Sequence, residues 1–189
     1  SIGMCALRTN TTGSNNTAIG FRALQGNQSG LYNTAIGYGA AYCNTTGGSN
    51  FAVGFQALNL NTTGGSNNAL GFEALKYSTT GSHNHALGNR VLYCNTTGGC
   101  NTAIGLNTLY NNTTGLHNIG IGYFALTNSV DGNSNIALGQ NSSECNTTGD
   151  HNIAMGQMAG RCNTSGGCGV AIGFQAGCNN TASHNVAIG

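Results

Sequence analysis

Asn33-Thr34-Ala35-Ile36-Gly37-Tyr38-Gly39-Ala40-Ala41-Tyr42-Cys43-Asn44-Thr45-Thr46-Gly47-Gly48-Ser49 decides the fold, because it recurs. The glycine that closes its Ala-Ile-Gly motif falls at Gly3, Gly20, Gly37, Gly54, Gly71, Gly88, Gly105, Gly122, Gly139, Gly156 and Gly173, always 17 residues apart, with a last step of 16 to Gly189. The residue before it is Ile2, Ile19, Ile36, Val53, Leu70, Leu87, Ile104, Ile121, Leu138, Met155, Ile172 and Ile188, large and apolar every time. A fixed period of this kind marks a repeat architecture. Seventeen residues are too few for a helix pair and suit one coil of a β-solenoid. Thr-Ala-Ile-Gly-Phe is β-prone, and Asn-Thr-Thr-Gly-Gly-Ser is turn chemistry. The expected fold is all-β: a parallel β-solenoid (β-roll) of about eleven 17-residue coils, with two short strands in each. At about 4.8 Å per coil the rod is on the order of 50 Å long. Residues 1–189 form one repeat array. Both ends fall inside a repeat, so the array reads as a slice of a longer fibre protein.

The strand motif is apolar on consecutive residues, Ala35 and Ile36, and so is the segment Ala57-Leu58. Neighbouring side chains of a strand face opposite sides. A strand apolar on both faces is buried on both faces. A 17-residue coil has one interior, so the second face calls for other copies of the chain. The competing reading keeps only Ile and Leu in the core and leaves Ala to solvent. The aromatic column Phe21, Tyr38, Phe55, Phe72, Tyr123 and Phe174 reads as rings stacked along the rod, or as a platform for a ligand.

Composition narrows the function. Charged residues are 5% of the chain, against about 25% in ordinary soluble domains. Net charge is +1, and the five Lys and Arg are scattered, so the basic stripe of a nucleic-acid binder is missing. No apolar run is long enough to cross a bilayer, so no membrane insertion is expected of this segment. The eight Cys suggest disulfides and an oxidising location: extracellular, cell surface or virion surface.

Asn185-Val186-Ala187-Ile188-Gly189 and Gly169-Val170-Ala171-Ile172-Gly173 resemble the head repeats of trimeric autotransporter adhesins of the YadA type. The N-T-A-I-G form with its N-T-T-G turn is also similar to NTAIG-repeat tail-fibre and surface-fibre proteins. The resemblance spans the whole chain. It implies a left-handed parallel β-roll, a homotrimer, and use as a shaft or an adhesive head.

Three residue sets could carry chemistry. The sequon Asn-x-Thr/Ser recurs in one column at Asn10, Asn27, Asn44, Asn61, Asn95, Asn112, Asn146 and Asn163, and off it at Asn15, Asn111, Asn141 and Asn179. These are glycosylation candidates, or else turn residues whose side chains stack in a hydrogen-bonded ladder. Cys94 and Cys100, like Cys162 and Cys168, flank the same Asn-Thr-Thr/Ser-Gly-Gly turn, which suggests two intracoil disulfides. Cys5, Cys43, Cys145 and Cys178 lack a partner at that spacing and stay free or bridge chains. The paired C-x2-C spacing of structural zinc is absent. His83, His117, His151 and His184 share a column with Cys100 and Cys168, a weak metal signal beside the plainer reading of surface imidazoles. No catalytic or cofactor-binding residue is legible: the acids Glu73, Asp131, Glu144 and Asp150 lie in different coils, and no phosphate loop occurs.

The reading is a non-enzymatic structural protein, a shaft of stacked coils adjustable in length, whose partners are copies of itself and neighbouring fibre segments. An adhesin head that presents its turns to a host or surface ligand is the alternative. An ice-binding solenoid, with Thr45-Thr46, Thr62-Thr63 and Thr96-Thr97 facing a lattice, is the lower one.

Overall fold

The structure is a computed structural model that describes residues 1–179 and 181–189. Its regular elements are eleven three-residue strands: β1 Thr17–Ile19, β2 Thr34–Ile36, β3 Phe51–Val53, β4 Asn68–Leu70, β5 His85–Leu87, β6 Thr102–Ile104, β7 Ile119–Ile121, β8 Ile136–Leu138, β9 Ile153–Met155, β10 Val170–Ile172 and β11 Val186–Ile188. They form one parallel sheet in sequence order. Register follows the repeat, with Ala18 opposite Ala35 and Ile19 opposite Ile36. The shortened last coil keeps it, with Ala171 opposite Ala187. The chain is therefore the expected all-β, parallel β-solenoid.

Each coil holds one strand, not two. Where a second strand was expected, the backbone alternates in hand: Arg22 and Leu24 have φ of 58° and 48°, and Gln56 and Leu58 have 50° and 52°. The ladder between coils continues through this wall regardless. Leu24 N–H donates to the Ala40 carbonyl at 2.9 Å, and Gly26 N–H to the Tyr42 carbonyl at 2.8 Å. A left-handed Leu costs about 1–2 kcal/mol. Full burial of its side chain returns about 1.5–3 kcal/mol.

The strand's two apolar faces part, alanine inward and isoleucine outward, against the reading that would leave alanine to solvent. Ala18 points inward with no exposure, while Ile19, next to it, stays 38% exposed. The inward thread is Ala from each strand plus the Ala-Leu pair of the facing wall, of which Leu24, Leu58, Leu75, Leu92, Leu109 and Leu126 are fully buried. Room is the reason. Gly120 takes the place of the strand alanine where Thr108 fills the wall, and a Cβ on Gly120 would lie 2.7 Å from Thr108 Cγ2. An isoleucine does not fit a space measured in methyl groups. The glycine after each strand but the last is as constrained: Gly20 has φ of 126°, and a Cβ on it would lie 2.6 Å from the Gly37 carbonyl oxygen.

Two files of buried asparagine complete the interior. One begins at Asn10 and runs through Asn27, Asn44 and Asn61; the other runs through Asn33, Asn50, Asn67 and Asn84. Asn44 Nδ2 donates to Asn27 Oδ1 at 2.8 Å and to the Gly47 carbonyl at 2.9 Å. Asn33 Nδ2 reaches the same Gly47 carbonyl at 2.8 Å, and Asn33 Oδ1 accepts from the Asn50 backbone N–H at 3.0 Å. Each file thus ties coil to coil and pairs most of its own buried amide groups, as a dry interior requires; the first is interrupted where Ser78 and Ser129 take the asparagine position.

Packing thins toward the C-terminal coils. The leucine position becomes Ser143, Gly160 and Gly177 in succession. A cavity of ≈ 30 Å³ opens beside them. The alanines there, Ala154, Ala159, Ala171 and Ala176, form a separate small cluster.

Candidate interaction face

The sheet has one covered and one open face. On the open face two columns point outward from every strand. One is the aliphatic file before the glycine, with exposure of 39% at Leu70, 43% at Leu87, 37% at Ile104 and 40% at Ile121. The other starts polar, at Thr17 and Thr34, and becomes aliphatic at Ile119, Ile136, Ile153, Val170 and Val186. Neither column contains Asp, Glu, Lys or Arg. An open sheet face normally alternates to polar residues; here about eleven coils present an unbroken apolar stripe. Between the columns runs a groove of ≈ 330 Å³, lined by Phe51, Asn68, Leu70, His85, Leu87 and Ile104. Asn68 Nδ2 and His85 Nδ1 meet across coils on its floor at 2.9 Å.

Four of the six rings of the expected column, Phe21 to Phe72, stack; Tyr123 instead meets Phe124 edge-on, and Phe174 is exposed. Phe21–Tyr38, Tyr38–Phe55 and Phe55–Phe72 centroids are 5.2, 5.3 and 5.3 Å apart, with interplanar angles of 21°, 14° and 9°. Each ring face is covered by its neighbours, so solvent meets edges. A platform that stacks a ligand needs free faces, which the inner rings of this file do not offer.

The charged groups act between coils. Glu73, nearly buried, accepts from Lys76 Nζ at 2.7 Å and from Arg90 Nε in the next coil at 2.9 Å. Burial alone would raise the Glu73 carboxyl; the bonds from Lys76 and Arg90 outweigh it and hold the group below its ordinary value. The Tyr77 side chain and burial push the Tyr93 hydroxyl well up. Glu144 pairs with Arg161 of the next coil at 2.7 Å.

The sequon column lies in the interior. Asn27, Asn44, Asn61, Asn95, Asn112 and Asn146 are 0–1% exposed. Their Nδ2 atoms, where a glycan would attach, donate into the ladder; Asn95, for example, bonds the Gly98 carbonyl at 3.0 Å. Asn10 and Asn163, half-buried, make the same bond to Gly13 and Gly166 at 2.8 and 2.9 Å. These eight residues serve the ladder rather than the surface. Asn15, outside the column, is exposed.

The two C-x5-C clips are open: Cys94, Cys100, Cys162 and Cys168 are free thiols, as are the other four cysteines. Cys100 and Cys168 are exposed at one end of their turn; Cys94 and Cys162 are half-buried at the other. Burial raises the Cys43 and Cys94 thiols. His83, Cys100 and His117 occupy one exposed column, as do His151, Cys168 and His184. Among the described residues no three such side chains converge on a point that would hold a metal. Of each Thr-Thr pair, the first is spent inside: Thr45 Oγ1 donates to the Thr62 carbonyl at 2.9 Å, and Thr96 Oγ1 to that of Thr113 at 3.0 Å. Only the second, Thr46 or Thr97, is exposed.

No protein-family model matches the chain, and no curated protein or solved structure is similar to it.

Proposed function

We propose that the chain is a structural rod of an extracellular or virion-surface fibre, in which identical copies associate through the open sheet face. The apolar stripe of that face carries the reading. One half-exposed aliphatic side chain stands on every coil, and no charge interrupts the file. Contiguous apolar surface on this scale marks an association site. A second copy has the same coil spacing, so aligning one coil aligns all of them. The resemblance to trimeric adhesin heads and fibre repeats supplies the number of copies as three. The backbone ladder, continued from coil to coil, supplies the mechanical property of a shaft, its stiffness.

Sedimentation equilibrium tests the association. The wild-type chain is expected to sediment as a trimer. The double variant Leu87→Lys/Ile104→Lys is expected to be a monomer with an unchanged circular dichroism spectrum, since both side chains leave the interior untouched. A wild-type monomer at all concentrations would sink the reading.

A further inference from the structure

We propose that Cys145 and Cys162 form a disulfide that staples two neighbouring coils. In their column Cys43 is followed one coil later by Leu60, and Cys94 by Asn111; Cys145 alone has a cysteine, Cys162, in the next coil. The backbone is in register on both sides of the pair: Cys145 N–H donates to the Arg161 carbonyl at 3.0 Å, and Cys162 N–H to the Cys178 carbonyl at 2.9 Å. In-register coils place the two Cα atoms about 4.8 Å apart. A disulfide spans about 4.4–6.8 Å between Cα atoms. The two cysteines hold the same position of consecutive in-register coils, so their side chains leave the wall side by side. Cys168, by contrast, is held at the far end of the turn, its backbone N–H on the Asp150 carbonyl at 3.0 Å.

The location gives the staple a purpose. It joins the coils where Ser143 and Gly160 replace the core leucine and the interior cavity lies. A cross-link there restrains the coils that packing holds least. The oxidant is a small-molecule disulfide. One cysteine thiolate attacks it, forming a mixed disulfide and expelling one thiolate. The second cysteine attacks the protein sulfur of that mixed disulfide and expels the other. Two thiol protons and two electrons leave the protein, and two small-molecule thiols form. Burial and the adjacent Cys162 thiol raise Cys145, so the reaction is expected to quicken as pH rises above neutral.

The test uses the full chain treated with oxidised glutathione. Two of the eight thiols should be lost to Ellman's titration. Trypsin, applied after alkylation and denaturation, cuts after Arg161, between the pair, and releases fragments 91–161 and 162–189. They should remain joined until reduced. The joint should disappear in both Cys145→Ser and Cys162→Ser and survive in Cys168→Ser. Hydrogen exchange in β9 and β10 should slow at least several-fold on oxidation. A link within fragment 162–189, a joint that persists in Cys145→Ser, or no loss of thiols would overturn the proposal.

Discussion

Asn61 and Asn112 show how finely single residues set this interior. Their Oδ1 atoms are buried without a partner, and so are the hydroxyls of Ser78 and Ser129. The four defects are two events. In the coil after each asparagine the ladder position is serine, whose side chain is too short to reach back. Ser78→Asn is therefore expected to restore the bond and stabilise the fold by about 1–3 kcal/mol, with Ser129→Asn close behind. Thermal or denaturant unfolding measures this; a destabilised Ser78→Asn variant would refute the ladder account. The same burial governs modification. If the chain is expressed through a secretory route, glycopeptide mapping should find sugar on exposed Asn15 and none on Asn44 or Asn61 of the folded protein. A glycan on either would contradict their place in the ladder. Glu73 makes a pH prediction. Its carboxyl sits below the ordinary value, so its stabilising effect is complete above the unfolded value of about 4.3 and fades as pH falls through the folded one. The stability gap between wild type and Glu73→Gln should be widest near pH 6 and close toward pH 3. An equal gap at both pH values would remove the linkage.

At the scale of the coil, the leucine wall decides local stability. Ser143 already has the left-handed backbone of its column, with φ of 46° against 51° for Leu126. Ser143→Leu adds no backbone strain and points its side chain toward the gap beside Gly160. The expected gain is about 1–2 kcal/mol from buried apolar area. It should appear as slower hydrogen exchange in β9 and β10, with β3 and β4 unchanged; unfolding at a lower temperature would show the gap to be too small. The repeat, the parallel register and the stacked rings were all legible in the sequence, because each depends only on period. The direction of the strand was not. Ala35 and Ile36 are both apolar, and the pattern leaves open which one faces in. The answer lies in the width of the coil, which Gly120 and Thr108 reveal only in three dimensions. The second strand was misread for a related reason. Arg22-Ala23-Leu24 alternates like a strand in composition, yet does so through backbone handedness. The sequence left the sequons between sugar and ladder because a ladder asparagine followed two positions later by a turn threonine spells the same tripeptide.

Across the whole molecule, the outer face and the inner ladders obey the same period. Under the proposed association, a copy set against the rod meets the same surface at every height. The doubled apolar strand was read in the sequence as a second face that calls for partners; the structure gives that outer face to the aliphatic file. The ladder adds something that the face does not. Asn27 donates to Asn10, Asn44 to Asn27 and Asn61 to Asn44, at 2.7, 2.8 and 2.7 Å, always toward the N-terminal neighbour. The amide dipoles of the file therefore add along the axis and polarise one another. Between Asn27 and Asn44, for instance, the side-chain oxygen belongs to the N-terminal coil and the side-chain amide to the C-terminal one. The backbone ladder, whose bonds run both ways between coils, has no such sense; the direction of the rod is written into its interior by the orientation of a side-chain amide.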